Sequence, residues 1–519
     1  MWIAICAMLT GCGASVPKPE VTRIAIVAPQ NLSGNSAFEG RAQSLQWALT
    51  VPFAGLSDVL VANVASRRQA SDLRPFYIVE PVIEARGSVL QVLDASRHRH
   101  IAEIICSGDA CVTELAQVLG ITPRALRVPD EAGLRLWSLR RQPSEEGYRS
   151  LIQAYPDLSL IYEEWIRYLA QAGRTDEARS EMRRIRQRSW LPLEEAQFTL
   201  LQASLDGDTT ARPDGLAALA RSWPANAALQ IQAAEALMQQ RDFAGAVTFL
   251  NAARRAEPGN LPVLASLTYA LSLSGDSAAA LNIAAEAERL SSGSAFSFDL
   301  RGDALFLKGD FAEAEKAYLQ TGEKGADYQF GRSFAKAAEA ALFLNDVQRA
   351  DQHMQRFFAL YQKAVPGGIA IVQGLWLWRL GEREKALRQA EAFPSVTPLF
   401  QFLGNPAGGG PQPASAALQA LAAGRAAEAA DALKQIIRML PPLQSSRWEQ
   451  VLAVAHWEAG NKKEACAQLT NWGLPTPPDE WAGAVVWPRQ LEVRASCLQE
   501  EQPGRAALLR KLVENVTRR

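Results

Sequence analysis

The chain has 519 residues, a formal net charge of −1 and 48% hydrophobic residues. This length is too great for a single hydrophobic core, so it predicts several structural units. A net charge close to zero gives no electrostatic footprint for nucleic acid, and the sequence contains no basic run or recognition-helix signature.

A short apolar run opens the chain and ends in Leu9-Thr10-Gly11-Cys12. The run is too short to span a bilayer, and it is placed like the hydrophobic part of a secretory signal, although no Lys or Arg precedes it. The four residues resemble the bacterial lipobox. That resemblance implies a signal peptide over 1–11, a lipidated Cys12 and a linker over 12–20, and Gly13 after the cysteine implies an outer-membrane lipoprotein facing the periplasm. The alternative is a chance match in an apolar leader.

Residues 21–125 show alternating strand and helix signals that differ from the rest of the chain. The order β-α-β-α-β-β-β-α predicts a small α/β sandwich. The expected strands are 23–28, 59–64, 76–85, 88–94 and 98–106, and the expected helices are 37–51, 67–73 and 111–119, with a turn at 31–35.

Two segments of this domain, Ile24–Gly34 and Tyr77–Ile83, resemble the TolB-like amino-terminal domain. Pro29-Gln30 stands where that family usually has Pro-Phe, and the later strands match only in pattern. The resemblance implies an accessory or docking module without catalytic activity.

Four cysteines remain once Cys6 and Cys12 are assigned to the leader and the anchor. An even remainder in an oxidising compartment predicts two disulfides. A metal or redox site is the alternative for the first pair, and reduced buried thiols are the alternative for the second. The pairs are Cys106 with Cys111, and Cys466 with Cys497.

Two histidines alternate on one predicted strand. His98 and His100 would therefore face the same side, a geometry that a metal site could use. Arg97 and Arg99 flank them and would repel a cation, so we expect no metal there.

A short pattern recurs about every 34 residues and pairs a turn residue with an alanine five positions later. A fixed period of this length indicates stacked repeats. The copy Phe298–Tyr318 closely resembles the tetratricopeptide (TPR) pattern, with Gly302 where two helices cross and Ala314 where the second helix approaches. The pairs are Gly173/Ala178, Arg241/Ala246, Gly275/Ala280, Gly309/Ala314, Asn345/Ala350, Gly381/Ala386, Gly424/Ala429 and Gly460/Ala465.

The TPR resemblance implies a mainly α fold: a solenoid of about nine helix pairs over 143–519 with a carboxy-terminal cap, joined to the α/β domain by a linker helix over 126–142. The copy near Gly207 is degenerate, because Arg212 stands where alanine is expected.

The first helix of each TPR lines a groove, and its groove positions can be counted back from the turn residue. Aromatic side chains beside an arginine suit a peptide or sugar anchor. Packing between repeats is the alternative for each ring, and Trp448 lies one position off the face. The candidates are Phe296, Asp303, Phe306, Trp378, Arg379, Arg447, Trp448 and Trp457.

No nucleophile, metalloprotease, phosphate-binding or dinucleotide fingerprint is found, so we expect neither catalysis nor a cofactor. The sequence therefore favours a lipid-anchored envelope scaffold that binds a partner protein or peptide in the TPR groove, within an assembly or export system. The alternative is a glycan-binding module in which Trp378, Trp457 and Trp448 stack on sugars. An envelope hydrolase would need a polar constellation that the sequence lacks.

Overall fold

The computed structural model describes most of the chain from residue 21 onward, in two compact units. The units are 1–236 with 251–258, and 237–250 with 259–519. The described residues are 21–34, 45–46, 48–50, 52–53, 56, 58–72, 75–84, 87–106, 110–123, 130–208, 211–257, 259–392, 399, 401, 403, 415–440, 442–469, 473–475, 484 and 486–517.

The first unit begins with a six-stranded sheet. Its order is β3-β1-β4-β5-β6, and the short β2 pairs with β4. Strands β3, β1 and β4 run parallel, whereas β4, β5 and β6 are antiparallel. The strands are β1 (Thr22–Val27), β2 (Gln30–Asn31), β3 (Val59–Val64), β4 (Tyr77–Glu84), β5 (Gly87–Asp94) and β6 (Arg99–Cys106), with helices α1 (Arg67–Asp72) and α2 (Ala110–Leu119).

The described elements of this domain follow the predicted order, with two local differences, and the helix expected over 37–51 lies largely outside the described residues. Gln30–Asn31 forms β2, where a turn was expected to start, because these residues pair with Val82 and Ile83 of β4. His98 lies in the β5–β6 turn with φ of +51°, so it does not share a strand face with His100.

Helices make up the rest of the described chain. Nine helix pairs follow one another, from α5–α6 to α21–α22, so the predicted fold class is confirmed. In chain order, α3 to α14 are Asp130–Arg141, Glu145–Ala154, Ser159–Gln171, Thr175–Ile185, Pro192–Asp206, Ala211–Ser222, Ala227–Gln239, Phe243–Ala256, Leu261–Leu273, Ser277–Leu290, Ala295–Lys308 and Phe311–Lys324. Helices α15 to α24 are Arg332–Phe343, Val347–Ala364, Ile369–Arg379, Arg383–Glu391, Ser415–Ala422, Ala426–Met439, Pro442–Glu458, Lys462–Gln468, Arg489–Cys497 and Pro503–Thr517.

Each pair turns through one residue with left-handed backbone. All nine turn residues, from Gly173 to Gly460, have φ between +61° and +92°. A backbone hydrogen bond closes each turn. In one pair the N–H of Asp310 donates to the carbonyl of Leu305, five residues earlier, at 2.9 Å, and the other eight turns have the equivalent hydrogen bond. Glycine adopts this conformation without strain, whereas Arg241 pays about 1–2 kcal/mol for it.

The alanine five residues after the turn is fully buried in every regular pair, from Ala178 to Ala465. A small side chain at this position lets the second helix approach the first closely. The degenerate pair α7–α8 has the exposed Arg212 instead, and its close approach occurs at Gly215, where a Cβ would lie 3.3 Å from the Cα of Leu200.

The last two helices in the second unit contact both the end of the stack and earlier turns. Helix α23 packs against α21 and α22. Helix α24 returns to the turns of two earlier pairs: Asn515 donates from Nδ2 to Oδ1 of Asn345 at 2.9 Å, and the carbonyl of Val516 lies against Gly381. Trp487, which precedes α23, joins the same apolar cluster. These helices therefore cover turn surfaces that the repeats alone would expose.

Gly302 tests the packing of a single repeat. A Cβ there would lie 2.5 Å from Cε1 of the buried Tyr318. Replacing Gly302 with Ala should therefore overpack the α13–α14 contact and lower the free energy of unfolding by about 1–3 kcal/mol. The midpoint of urea denaturation, followed by circular dichroism, measures this change. The control is Gly504→Ala, where a Cβ meets nothing within 4 Å; equal midpoints for the two variants would contradict the prediction.

Candidate functional site

A buried polar cluster joins the first helices of three successive pairs. The Nζ of Lys336 on α15 donates to Asp299 and Asp303 on α13 at 2.9–3.1 Å. The hydroxyl of Tyr269 on α11 donates to Oδ2 of Asp303 at 2.8 Å, and the hydroxyl of Tyr318 on α14 donates to Oδ1 at 2.9 Å. Because both carboxylates are buried and hydrogen-bonded, the cluster fixes the relative positions of these helices.

Burial changes the protonation equilibria of this cluster. Burial raises the pKa of Asp299 to about 6, and the charge of Asp303 adds to this, while Lys336 opposes it. Burial of Lys336 favours the neutral amine, but the two aspartates outweigh that effect and raise its pKa. Burial also raises the pKa of Tyr269 and Tyr318. The ammonium group therefore stays charged at neutral pH, and its positive charge holds the acid pair together.

Aromatic side chains lie at the amino-terminal ends of two of these first helices. Phe296, near the start of α13, is half-buried, and Phe330, just before α15, is 52% exposed. Gln329, Phe330 and Gly331 all have left-handed backbone, with φ of +48°, +58° and +77°. Exposed Phe in this conformation is locally unfavourable, and such strain persists where the surrounding structure enforces it.

Tyr328 belongs to the same aromatic loop as Phe330. Its hydroxyl lies 3.1 Å from Nε2 of Gln329. Burial raises the pKa of Tyr328, and the charge of Asp299 contributes to that shift. The half-buried Tyr328 and the exposed Phe330 lie in this one short loop before α15, and Phe296 lies one helical turn before Asp299 on α13. We call Phe296, Tyr328 and Phe330 the aromatic rim.

Several residues expected to line an open groove are buried. Phe306 is 1% exposed and belongs to the apolar cluster that includes α24. Trp378 packs in another cluster with the guanidinium of Arg383 over its ring. Arg379 lies 3.6 Å from Glu339, and Trp448 is inside the core of the last pairs. The burial of Phe306, Trp378 and Trp448 agrees with the packing alternative for these rings, and Arg379 is buried as well, so none of the four is an exposed binding side chain.

The other groove candidates have different environments. Asp303 is part of the buried polar cluster and holds helices together. Phe296 belongs to the aromatic rim. Trp457 is half-buried, with the Lys462 ammonium 5.2 Å from its ring centroid. The side chain of Arg447 lies outside the described residues. The glycan hypothesis thus loses two of its three rings, Trp378 and Trp448.

Four cysteines in the described part of the chain form two disulfides, as the sequence predicted. Cys106 at the end of β6 is bonded to Cys111 on α2, and Cys466 on α22 is bonded to Cys497 on α23. Cys12 lies outside the described residues. Within the described part of the chain, no group of three or more His, Cys, Asp or Glu could hold a metal ion. No helix described there is long and apolar enough to cross a membrane.

Tyr328, Phe330 and Lys336 were missed by sequence reasoning, whereas Phe296 was one of the groove candidates. Lys336 lies nine residues before the turn residue Asn345 and was not counted among the groove positions, and only the tertiary structure brings it to the acid pair. Phe330 lies outside the α-helices, in the short 3-10 segment Tyr328–Gly331. Its exposure results from the left-handed run at 329–331, where Gly331 is the only residue whose type suggests such a conformation.

Comparison with known proteins finds helical repeats. No protein-family model matches the chain, and no curated protein does. Among solved structures, it is similar to the carboxy-terminal part of a TPR repeat-containing protein from Cytophaga hutchinsonii, with 12% identity over 46% of this chain and 95% of the other, and a TM-score of 0.35.

Two further solved structures show the same kind of likeness. PilF of Pseudomonas aeruginosa is 16% identical over 40% of this chain and 92% of its own, with a TM-score of 0.26. Yeast Tom70 is 13% identical over 73% of this chain and 95% of its own, with a TM-score of 0.30. At such identities and TM-scores, the likeness carries no argument about ligand, partner or shape.

The raised pKa of Asp299 predicts how the free energy of unfolding depends on pH. Between about pH 4 and pH 6 the folded protein holds this proton while the unfolded chain has lost it, so this carboxyl lowers stability as pH rises. Asp299→Asn removes the effect. Relative to the unsubstituted protein, the variant should gain up to about 3 kcal/mol between pH 4 and pH 7, measured by urea denaturation. A stability difference that does not change with pH would contradict the raised pKa.

Proposed function

We propose that this chain is a scaffold of the cell envelope that binds a partner protein at the aromatic rim of its helix pairs. The observation that carries the proposal is Phe330, an exposed aromatic side chain held outward by a left-handed backbone. Neither feature favours local stability, and aromatic side chains supply much of the binding energy in protein interfaces.

The polar cluster supports this role by making the rim rigid. Lys336 and the acid pair hold α13 and α15 in one arrangement, so the helix ends that carry Phe296 and Phe330 do not need to be ordered when a partner binds. Preorganised surfaces lose less entropy on association. Stacked helix pairs also provide an extended surface, as a scaffold requires.

We further propose that a lipid on Cys12 holds the protein at the outer membrane, facing the periplasm, within an envelope assembly or export system. The support is the Leu9–Cys12 motif after an apolar run, together with four cysteines that pair as two disulfides. Disulfides form and persist in oxidising compartments.

Capture of the partner tests the rim. An affinity-tagged chain is crosslinked in cell envelopes, and the captured species are identified and quantified. Phe330→Ala and Phe296→Ala should each weaken binding by about tenfold or more, because truncating a buried interface aromatic costs about 2 kcal/mol. The same captured species should therefore fall sharply in both variants.

The matched control for the rim is Met439→Ala. Met439 is 76% exposed at the end of α20, away from the rim in the sequence, and its truncation should leave capture unchanged. Equal capture by all three variants would eliminate the rim as the binding surface. Loss of capture in Trp457→Ala alone, with direct binding of an oligosaccharide, would instead support the glycan hypothesis.

The membrane anchor has its own test. Cys12→Ala removes the acceptor of the lipid, so the variant should leave the membrane fraction and appear in the soluble fraction of cells. Fractionation with antibody detection measures the shift. A Cys12→Ala protein that stayed with membranes to the same extent would argue against lipidation.

A further inference from the structure

The β5–β6 turn and the start of β6 present four consecutive basic or imidazole side chains. All four residues of Arg97–His100 are exposed. The Asp94 carboxylate accepts hydrogen bonds from the Ser96 hydroxyl at 2.6 Å and from the Arg97 N–H at 3.0 Å, which fixes the turn. The same carboxylate lies 3.7 Å from the Arg97 guanidinium. We call Arg97–His100 the basic tip.

Sheet register places the basic tip at the end of the domain where the chain enters. Ile24 of β1 lies opposite Tyr77 of β4, Tyr77 lies opposite Asp94 of β5, and Asp94 lies opposite Arg99 of β6. The start of β1, the start of β4 and the β5–β6 turn therefore lie at one end of the sheet. Asp58, just before β3, also lies at this end of the sheet.

The distance to the proposed lipid anchor is bounded by the covalent chain. Nine residues separate Cys12 from Thr22, and a fully extended chain of that length reaches at most about 35 Å. A lipid on Cys12 would thus keep this end of the sheet within about 35 Å of the bilayer. The maximum distance from Cys12 to the other end, with Asn31 and Cys106, is greater by the length of the strands.

We propose that the basic tip binds the anionic headgroups of the membrane that holds the lipid. This proposal rests on the proposed anchor for the orientation of the domain. Guanidinium groups form paired hydrogen bonds with phosphate, and each basic side chain near an anionic membrane contributes about 1 kcal/mol. The tip provides a second membrane contact beside the lipid and sets which end of the domain faces the bilayer.

Vesicle binding without the lipid tests the tip alone. The chain from Gly13 onward keeps every residue that the structure describes and lacks both leader and Cys12. It is sedimented with vesicles of phosphatidylcholine containing 30% phosphatidylglycerol, or of phosphatidylcholine alone, in 50 mM and 500 mM salt. We expect about tenfold stronger binding to the anionic vesicles at low salt and none at high salt, because salt screens exposed charges.

Charge reversal identifies the binding residues. Arg97→Glu with Arg99→Glu should reduce binding to the level seen with phosphatidylcholine alone. The control, Arg183→Glu with Lys463→Glu, changes the net charge equally at two exposed residues elsewhere and should bind like the unsubstituted chain. Circular dichroism shows that each variant is folded.

Three outcomes would overturn the proposal: equal binding to both kinds of vesicle, full binding by the Arg97→Glu/Arg99→Glu chain, or loss of binding in the control as well. The last would indicate a general effect of net charge. Capture of an acidic protein by the tip without vesicle binding would also count against it. Since this chain carries no lipid, its result is independent of Cys12, and the fractionation of Cys12→Ala decides the anchor separately.

Discussion

The left-handed turn is the constraint on which the helix pairs depend. One residue with positive φ, followed by a closing bond such as Asp310 to Leu305, reverses the chain within a few residues. The fully buried alanine five positions later then lets the second helix lie against the first. A bulky residue in place of this alanine would separate the helices, whereas Arg241 and Asn345 occupy turn positions at a conformational cost while their pairs stay closed. Where Arg212 breaks the rule, Gly215 restores the close approach.

This repeated packing supports two kinds of surface. Apolar side chains near the turns, such as Phe306 and Phe343, are covered by the returning helices α23 and α24, so they contribute to stability. Polar side chains deeper on the first helices, around Asp303 and Lys336, satisfy one another and hold neighbouring pairs in register. The aromatic rim differs from both surfaces, because its Phe330 side chain is exposed. This exposure is the reason for interpreting the rim as a binding surface.

In the sheet domain, strand pairing and not a repeated turn determines the arrangement of the elements. Its central strand β1 buries both faces from Ile24 to Val27, while the antiparallel β5 and β6 are joined by an exposed turn. The register of the strands determines which residues lie at the same end of the sheet. The same pairings that place Arg99 opposite Asp94 also place the basic tip at the end where the chain enters, a relation that depends on three strand contacts.

Much of the fold was predictable because its determinants are local. The period of the turn residues, the alanines that follow them and the alternation of strands and helices before residue 125 predicted nine pairs and an α/β domain. Gly302 was correctly placed at a tight crossing, since only a missing Cβ allows Tyr318 so close. The exposure of single side chains was less accessible. Trp378 and Trp448 have groove-like spacing or lie beside it, yet neighbouring pairs bury them.

The sequence by itself determined the type of repeat, the number of pairs and the elements of the amino-terminal domain, because turn geometry and helix periodicity depend on residues a few positions apart. Only the tertiary structure decided which side chains remain open. The return of α24 to Asn345, the meeting of Lys336 with the acid pair and the outward position of Phe330 all involve contacts or backbone conformations that neither spacing nor composition encodes.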